Sequence, residues 1–153
     1  MKISACMIAK NEEKNIERCI NSYKDIASEI IVVDTGSTDN TVEIAKKLGA
    51  KVYFFKWVND FAAAKNYALS KAKYDWIIFL DADEYFEKEA ERNIPVILQN
   101  IDNNFQIDCI NSTIENIEGT TGKIIDVCVV TRIFRNRNIR YINRIHECIV
   151  RDR

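Results

Sequence analysis

Trp76-Ile77-Ile78-Phe79-Leu80-Asp81-Ala82-Asp83-Glu84 decides how this chain reads. Its five large apolar residues in a row describe a strand buried on both faces, as in a parallel sheet. The run ends in two carboxylates one residue apart. Ligands of open α/β sheets bind beyond the carboxyl ends of the strands. Paired acids at such a place hold a hard divalent cation, and the cation holds phosphate. The stretch thus points to a metal-assisted reaction on a phosphorylated substrate. Asp81 and Asp83 repel each other, and a cation relieves that cost; a plain polar turn is the alternative. Glu84 is equally readable as the start of the next helix.

Upstream, the pattern alternates regularly. Residues 3–8 read as a strand, followed by a helix whose apolar stripe is Ile16, Cys19, Ile20 and Tyr23. Residues 29–33 form a second buried strand ending at Asp34. The loop 35–40 is rich in turn and capping residues. A helix through Val42, Ala45 and Leu48 stops at Gly49. Lys51 to Phe55 make a third strand. Asp60 caps a helix with an apolar face of Phe61, Ala64, Ala68, Leu69 and Ala72. This alternation predicts right-handed crossovers and a mostly parallel sheet.

Downstream the pattern changes. Residues 85–104 are polar and contain the single proline, Pro95, which predicts one or two short helices. Residues 107–114 and 123–134 read as an antiparallel pair joined by a loop with Gly119 and Gly122. Residues 140–150 add a further strand or extended piece. With no repeat and no low-complexity linker, the 153 residues are expected to form one mixed α/β domain.

Composition narrows the function classes. Hydrophobic residues are 47% and charged residues 29%, ordinary for a globular domain. The net charge of -1 carries no footprint of a nucleic-acid partner. No leader and no apolar run of membrane-spanning length is visible. Five cysteines without a paired framework fit a reducing compartment and buried thiols. A cytoplasmic protein is expected.

Four polar sets follow predicted strands: Lys10-Asn11-Glu12, Asp34 with its loop, Asp60 to Asn66, and Asp81-Ala82-Asp83. In a parallel sheet they share one edge and surround one crevice. Asp34 can accept from a nucleobase N–H or a ribose hydroxyl, or simply from local backbone N–H groups. Asn11 and Glu12 can act as ligand contacts or as caps of the first helix. Lys65 can place its ammonium on a phosphate, or lie solvated on its helix; Asn66 is a similar case. His146 is the single histidine. The series Arg132, Arg135, Arg137, Arg140 and Arg144 can approach phosphates or an acidic acceptor, or form a solvated face.

Met7-Ile8-Ala9-Lys10-Asn11-Glu12, Ile31-Val32-Val33-Asp34-Thr35-Gly36-Ser37-Thr38-Asp39-Asn40-Thr41, Asp60-Phe61-Ala62-Ala63-Ala64-Lys65-Asn66 and Phe79-Leu80-Asp81-Ala82-Asp83-Glu84, in this order, resemble the family 2 glycosyltransferases. The branch is similar to the bacterial lipooligosaccharide β-1,4-glucosyltransferase-like group. The resemblance covers residues 2 to about 86 closely. It continues loosely through Arg132-Ile133-Phe134-Arg135 and Ile145-His146-Glu147.

The resemblance implies a GT-A fold, a three-layer α/β/α arrangement with an antiparallel C-terminal portion. It implies a UDP-sugar donor, Mn²⁺ or Mg²⁺, and inversion by direct displacement. Ala9, Asn11, Glu12 and Asp34 would hold the nucleotide, and Lys65 would face the diphosphate, where many relatives carry arginine. Asp81 and Asp83 would form the metal-binding D-x-D pair, with Asp83 the more direct ligand. No Glu-Asp pair follows residue 86, so Glu147 is the candidate general base, and His146 a metal ligand or phosphate contact.

Residues 1–86 would be the nucleotide-sugar-binding half and 87–153 the acceptor-side half of one catalytic domain. Family domains usually continue further. A C-terminal remainder could carry contacts to a glycan, lipid-linked or peptide acceptor, or associate with the inner face of the membrane. A truncated or inactive sugar-nucleotide-binding module is the non-enzymatic alternative. A nucleotidyltransferase would show a glycine-rich loop after the first strand, where Lys10-Asn11-Glu12 stands. A D-x-D phosphohydrolase would carry its nucleophile nearer the start of the domain. A dinucleotide-binding dehydrogenase lacks its G-x-G-x-x-G.

Overall fold

A computed structural model describes residues 1–104 and 106–151. The chain runs β1 (Ile3–Ala9), α1 (Ile16–Asn21), β2 (Glu29–Asp34), α2 (Thr41–Lys47), β3 (Lys51–Phe54), α3 (Phe61–Leu69) and β4 (Trp76–Phe79). It continues through α4 (Lys88–Ile101), β5 (Cys109–Ile117), β6 (Ile124–Arg135), β7 (Ile139–Ile142) and β8 (Cys148–Arg151). The terminal Asp152-Arg153 lies outside the described residues.

A six-stranded sheet has the order β3-β2-β1-β4-β6-β5, and β7 pairs with β8 as a separate hairpin. The β1–β2, β1–β4 and β2–β3 pairs are parallel, whereas β6 runs antiparallel to β4 and β5. The mostly parallel sheet with an antiparallel portion is thus as expected. Because β6 joins β4 at Trp76↔Arg135 through Ile78↔Ile133, both halves of the sequence share one sheet.

Strand alternation divides the core into two layers. Ile3, Ala5, Met7 and Ala9 of β1 pack with Ile16, Cys19 and Ile20 of α1, Ala45 of α2, and Ile94 and Leu98 of α4. Cys6, Ile31, Val33, Ile77, Phe79 and Phe134 point the other way, onto Ala62, Ala68 and Leu69 of α3 and Tyr141 of β7. The result is three layers, α/β/α.

Two local expectations are corrected. Of the expected one or two short helices, a single one forms, and it is longer, 14 residues with Pro95 inside it. Proline removes one helical hydrogen bond and crowds the preceding turn. Burial of Ile94 and Leu98 against the sheet outweighs that local cost. Phe61, expected on the buried face of α3, is the first residue of the helix and is 41% exposed, with its ring edge-on to Trp57 rather than in the core.

The chain proceeds from β1 outward to β2 and β3, then returns to the other side of β1 with β4. The strand order therefore reverses between β1 and β4. Open α/β sheets form their ligand crevice at such a switch point, outside the carboxyl ends of the strands.

Candidate functional site

The loops after β1 and β2 lock together. Asn11, with a left-handed φ of 57°, accepts the Thr38 N–H at 2.8 Å through Oδ1 and donates its own N–H to Ser37 Oγ at 2.9 Å. The Glu12 N–H donates to Thr41 Oγ1 at 2.7 Å, and Glu12 Oε2 accepts from Asn15 Nδ2 at 2.8 Å. The buried Asp34 accepts the Gly36 and Ser37 N–H groups, each at 3.1 Å. Ala9 carbonyl accepts both the N–H and the hydroxyl of Thr35. Ala9, Asn11, Glu12 and Asp34 thus meet on one sheet edge, and much of their hydrogen-bonding capacity shapes that edge.

The turn after β4 is fixed from several sides. The Asp81 N–H donates to Glu84 Oε2 and the Glu84 N–H donates to the Asp81 carbonyl, both at 3.0 Å. Phe86 N–H donates to Ser22 Oγ at 3.0 Å, and the Arg18 guanidinium lies 4.3 Å from the Tyr85 ring centroid. These contacts dock the turn on the end of α1.

Asp60 caps α3 by accepting the Ala63 N–H at 2.9 Å. One turn later stands Lys65, whose side chain is 1% exposed. Its Nζ lies 2.9 Å from Asp81 Oδ1 and 2.6 Å from Glu147 Oε1. It also sits 5.4 Å from the Phe79 ring centroid and 5.3 Å from that of Tyr141. A buried ammonium needs paired charge, and aromatic faces add attraction. Lys65 is therefore pinned between two carboxylates, neither solvated nor standing free toward a ligand.

Glu147 arrives through the β7–β8 hairpin. Asn66 grips the hairpin by its backbone, accepting the Tyr141 N–H at 2.8 Å and donating to the Tyr141 carbonyl at 2.9 Å. The Phe61 N–H donates to the Arg144 carbonyl at 3.0 Å. Asn143 and His146, with φ of 72° and 54°, bend the connecting loop through left-handed conformations that non-glycine residues seldom adopt. His146 itself is exposed.

Arg132 of β6 completes the cluster. Its Nη2 donates to Asp81 Oδ2 at 2.9 Å and to Glu84 Oε1. Glu147, Lys65, Asp81, Arg132 and Glu84 therefore form an alternating chain of charges. Burial alone would raise the Asp81 carboxyl, but Lys65 and Arg132 outweigh it and hold its pKa below the usual value. At Glu84 burial prevails over Arg132 and the pKa is raised.

Among the described residues, no three His, Cys, Asp or Glu side chains converge where one ion could sit. Asp81, Asp83 and His146 are thus not assembled as a protein-only cage. Both Asp81 oxygens are occupied by cations, whereas Asp83, two residues on in the turn after β4, is exposed. Mg²⁺-type ions are commonly held by one or two carboxylates together with substrate phosphates. Asp83 with a diphosphate fits that donor set.

Sequence reasoning left Arg132 unresolved within its arginine series and did not foresee the role of Asn66 on the hairpin. Arg135 and Arg137 lie elsewhere, on Asp75 at the opposite strand ends. Spacing along β6 places Arg132 and Phe134 on one face, but does not say which acid that face meets.

The sequence profile of the family described as "Glycosyl transferase family 2" matches residues 4–149. This chain belongs to glycosyl transferase family 2. It is 37% identical over 148 residues to the SPbeta prophage-derived glycosyltransferase SunS of Bacillus subtilis, covering 95% of this chain and 34% of SunS. The TarS structure from S. aureus in complex with UDP-GlcNAc matches with a TM-score of 0.59 and 25% identity, over 82% of this chain and 37% of TarS. Glucosyl-3-phosphoglycerate synthase of M. tuberculosis, in complex with Mn²⁺, UDP-glucose and phosphoglyceric acid, matches with a TM-score of 0.56 and 25% identity, over 70% of this chain and 41% of that one. These neighbours share the GT-A architecture found here. The chain spans about a third of the length of the curated relatives it matches. Among the described residues, no helix is long and apolar enough to cross a membrane.

Proposed function

We propose that this family 2 chain binds a nucleotide-sugar donor at the β1/β4 crevice and transfers the sugar, with inversion, to an acceptor hydroxyl. The observation that carries the reading is the convergence of Asp81 and Glu147 on Lys65 at the carboxyl ends of the parallel strands. UDP is the favoured nucleotide, because TarS and the mycobacterial synthase were both solved with UDP-sugars. The nucleoside half meets the edge formed by Ala9, Asn11, Glu12 and Asp34. Lys65, paired with Asp81 and Glu147, would reach a diphosphate only by exchanging one of those contacts for it.

Glu147 is the proposed general base. It takes the proton of the acceptor hydroxyl as that oxygen forms a bond to the anomeric carbon. The anomeric carbon–oxygen bond to the diphosphate breaks from the opposite face, which inverts the centre. Asp83 would hold Mn²⁺ or Mg²⁺, which would supply charge neutralisation to the leaving diphosphate. His146 is a further metal or phosphate contact. Asp81 orients Asp83 rather than lending a free oxygen.

The chain acts in the manner of the lipooligosaccharide β-1,4-glucosyltransferase-like branch, in glycan or cell-envelope polysaccharide synthesis, at the inner face of the membrane. Its acceptor is a glycan, a lipid-linked glycan or a peptide. Residues 1–86 bind the donor and 87–153 face the acceptor.

Calorimetric titration of UDP with and without Mn²⁺, on the wild type and on Asp83→Ala, tests the donor site. Metal-dependent binding that disappears in Asp83→Ala is expected. A folded chain that binds UDP under neither condition would sink the reading. Donor hydrolysis or transfer that is lost in Glu147→Ala separates an enzyme from a binding module that only holds the nucleotide.

A further inference from the structure

Resting on that donor-site reading, we propose that Arg132 and Glu84 are positioning residues that hold the Asp81-Ala82-Asp83 turn in the shape that presents Asp83. Neither touches the sugar or the reacting atoms; both act through Asp81 and Asp83.

The geometry is a closed loop of contacts. Arg132 reaches across from β6, and one nitrogen, Nη2, spans Asp81 Oδ2 and Glu84 Oε1. The other Glu84 oxygen accepts the Asp81 N–H, and the Glu84 N–H returns to the Asp81 carbonyl. Lys65 takes the remaining Asp81 oxygen. Ala82 is buried, so the turn cannot swing outward without exposing it. Asp83 is the one carboxylate of the three that no ion pair holds among the described residues and that stands exposed.

Three acids within four positions repel one another. Arg132 offsets that repulsion at two of them with a single charge. Its side chain is only 14% exposed, so solvent screens the contact weakly. Its Nε is buried and, among the described residues, has no hydrogen-bond partner. A buried donor left over is uncommon. Among the described residues, its ion pairs are those with Asp81 and Glu84. With Arg132 gone, Asp81 and Glu84 part, the Glu84 bond to the Asp81 N–H is lost, and the turn that carries Asp83 loses its fixed shape. Residues that orient a metal ligand in this way typically govern metal affinity by about 10–100-fold.

The experiment measures Mn²⁺ and UDP affinity of the 153-residue chain by calorimetry, with Mn²⁺ electron paramagnetic resonance as a second readout, for wild type, Arg132→Met, Arg132→Lys and Glu84→Gln. Arg132→Met is expected to weaken Mn²⁺ binding in the presence of UDP by about tenfold or more, with UDP affinity in metal-free buffer unchanged. Because one nitrogen makes both contacts, the lysine ammonium is expected to recover most of the loss. Glu84→Gln keeps the side-chain shape, avoids the folding risk of removing a buried cation, and is expected to weaken Mn²⁺ binding in the same direction.

Wild-type binding that Arg132→Met leaves unchanged overturns the proposal. So does an equal loss of UDP affinity with and without Mn²⁺, which marks Arg132 as a direct phosphate contact. Equal losses in Arg132→Met and Arg132→Lys, each with a lowered melting temperature, overturn it in favour of a purely structural role. A folded wild type that binds neither UDP nor Mn²⁺ overturns the donor-site reading first, and this proposal with it.

Discussion

Asp81 and Glu147 share one buried ammonium: Lys65 Nζ lies 2.9 Å from the first and 2.6 Å from the second. Asp81 follows a parallel strand and Glu147 sits in a hairpin loop near the end of the chain. Lys65 therefore joins the two halves of the domain at the crevice.

Methionine at position 65 would keep the volume and remove the charge. Asp81 would then keep only Arg132, and Glu147 would lose the ammonium that faces it. We expect Lys65→Met to destabilise the fold by about 3 kcal/mol, the low end for a broken buried pair, because Asp81 is 37% exposed. Urea denaturation measures this. A loss below about 0.5 kcal/mol would place the interaction among surface ion pairs and remove Lys65 as a joint.

Asp81 and Glu84 are expected to shift acid stability in opposite directions. The Asp81 pKa is lowered from 3.8, so its contribution is complete above that value and is lost as pH falls through the lower folded pKa. The Glu84 pKa is raised from 4.5, so stability is lost as pH rises from 4.5 through the raised folded value. Urea midpoints followed with pH should therefore show a shallower acid limb below pH 3.8 in Asp81→Asn. Glu84→Gln should remove the decline that begins above pH 4.5. Superimposable profiles for both variants and wild type would count against the charge chain.

Arg135 is a separate structural clamp, 1% exposed. Its guanidinium lies 4.2 Å from the Trp76 ring centroid and donates to Asp75 Oδ2 at 2.7 Å, to the Asp102 carbonyl at 2.6 Å and to the Ile107 carbonyl at 3.1 Å. It thereby ties the end of α4 to the sheet. A lysine cannot stack and fork in this way. Arg135→Lys is expected to cost about 2 kcal/mol and Arg135→Ala about 4 kcal/mol in chemical denaturation. A lysine variant as stable as wild type would show that the fork is dispensable.

Asn66→Ala removes both bonds to the Tyr141 backbone. The buried amide groups lose their partners, at a cost of about 1–3 kcal/mol. Amide exchange is expected to quicken through residues 139–151 and to stay slow in β1 and β2. Protection unchanged in the hairpin would mean that side-chain packing of Tyr141 holds it alone.

Much of this was legible in the residues. The strand β4, the cap Asp60 and the apolar stripe of α1 follow from local periodicity and capping chemistry, which act over a few residues. Pro95 was misleading because its local penalty is outweighed by the buried contacts of Ile94 and Leu98. Phe61 was misleading because the helix pattern does not say whether the core covers the first turn, where Phe61 meets Trp57 instead. Arg132 and Arg135 looked alike in sequence, yet they lie at opposite ends of β4, the first by Asp81 and the second by Asp75.

By itself, then, the sequence determined the alternation of strands and helices, the family, and the gathering of polar residues after the parallel strands. Those properties depend on short-range order along the chain. Only the tertiary structure decided that Lys65 joins Asp81 to Glu147, that Arg132 spans Asp81 and Glu84, and that Asn66 grips the hairpin. Those pairings are set by the antiparallel register of β6 and by the hairpin folding back on α3. They arise between residues distant in sequence, whose meeting no local period encodes.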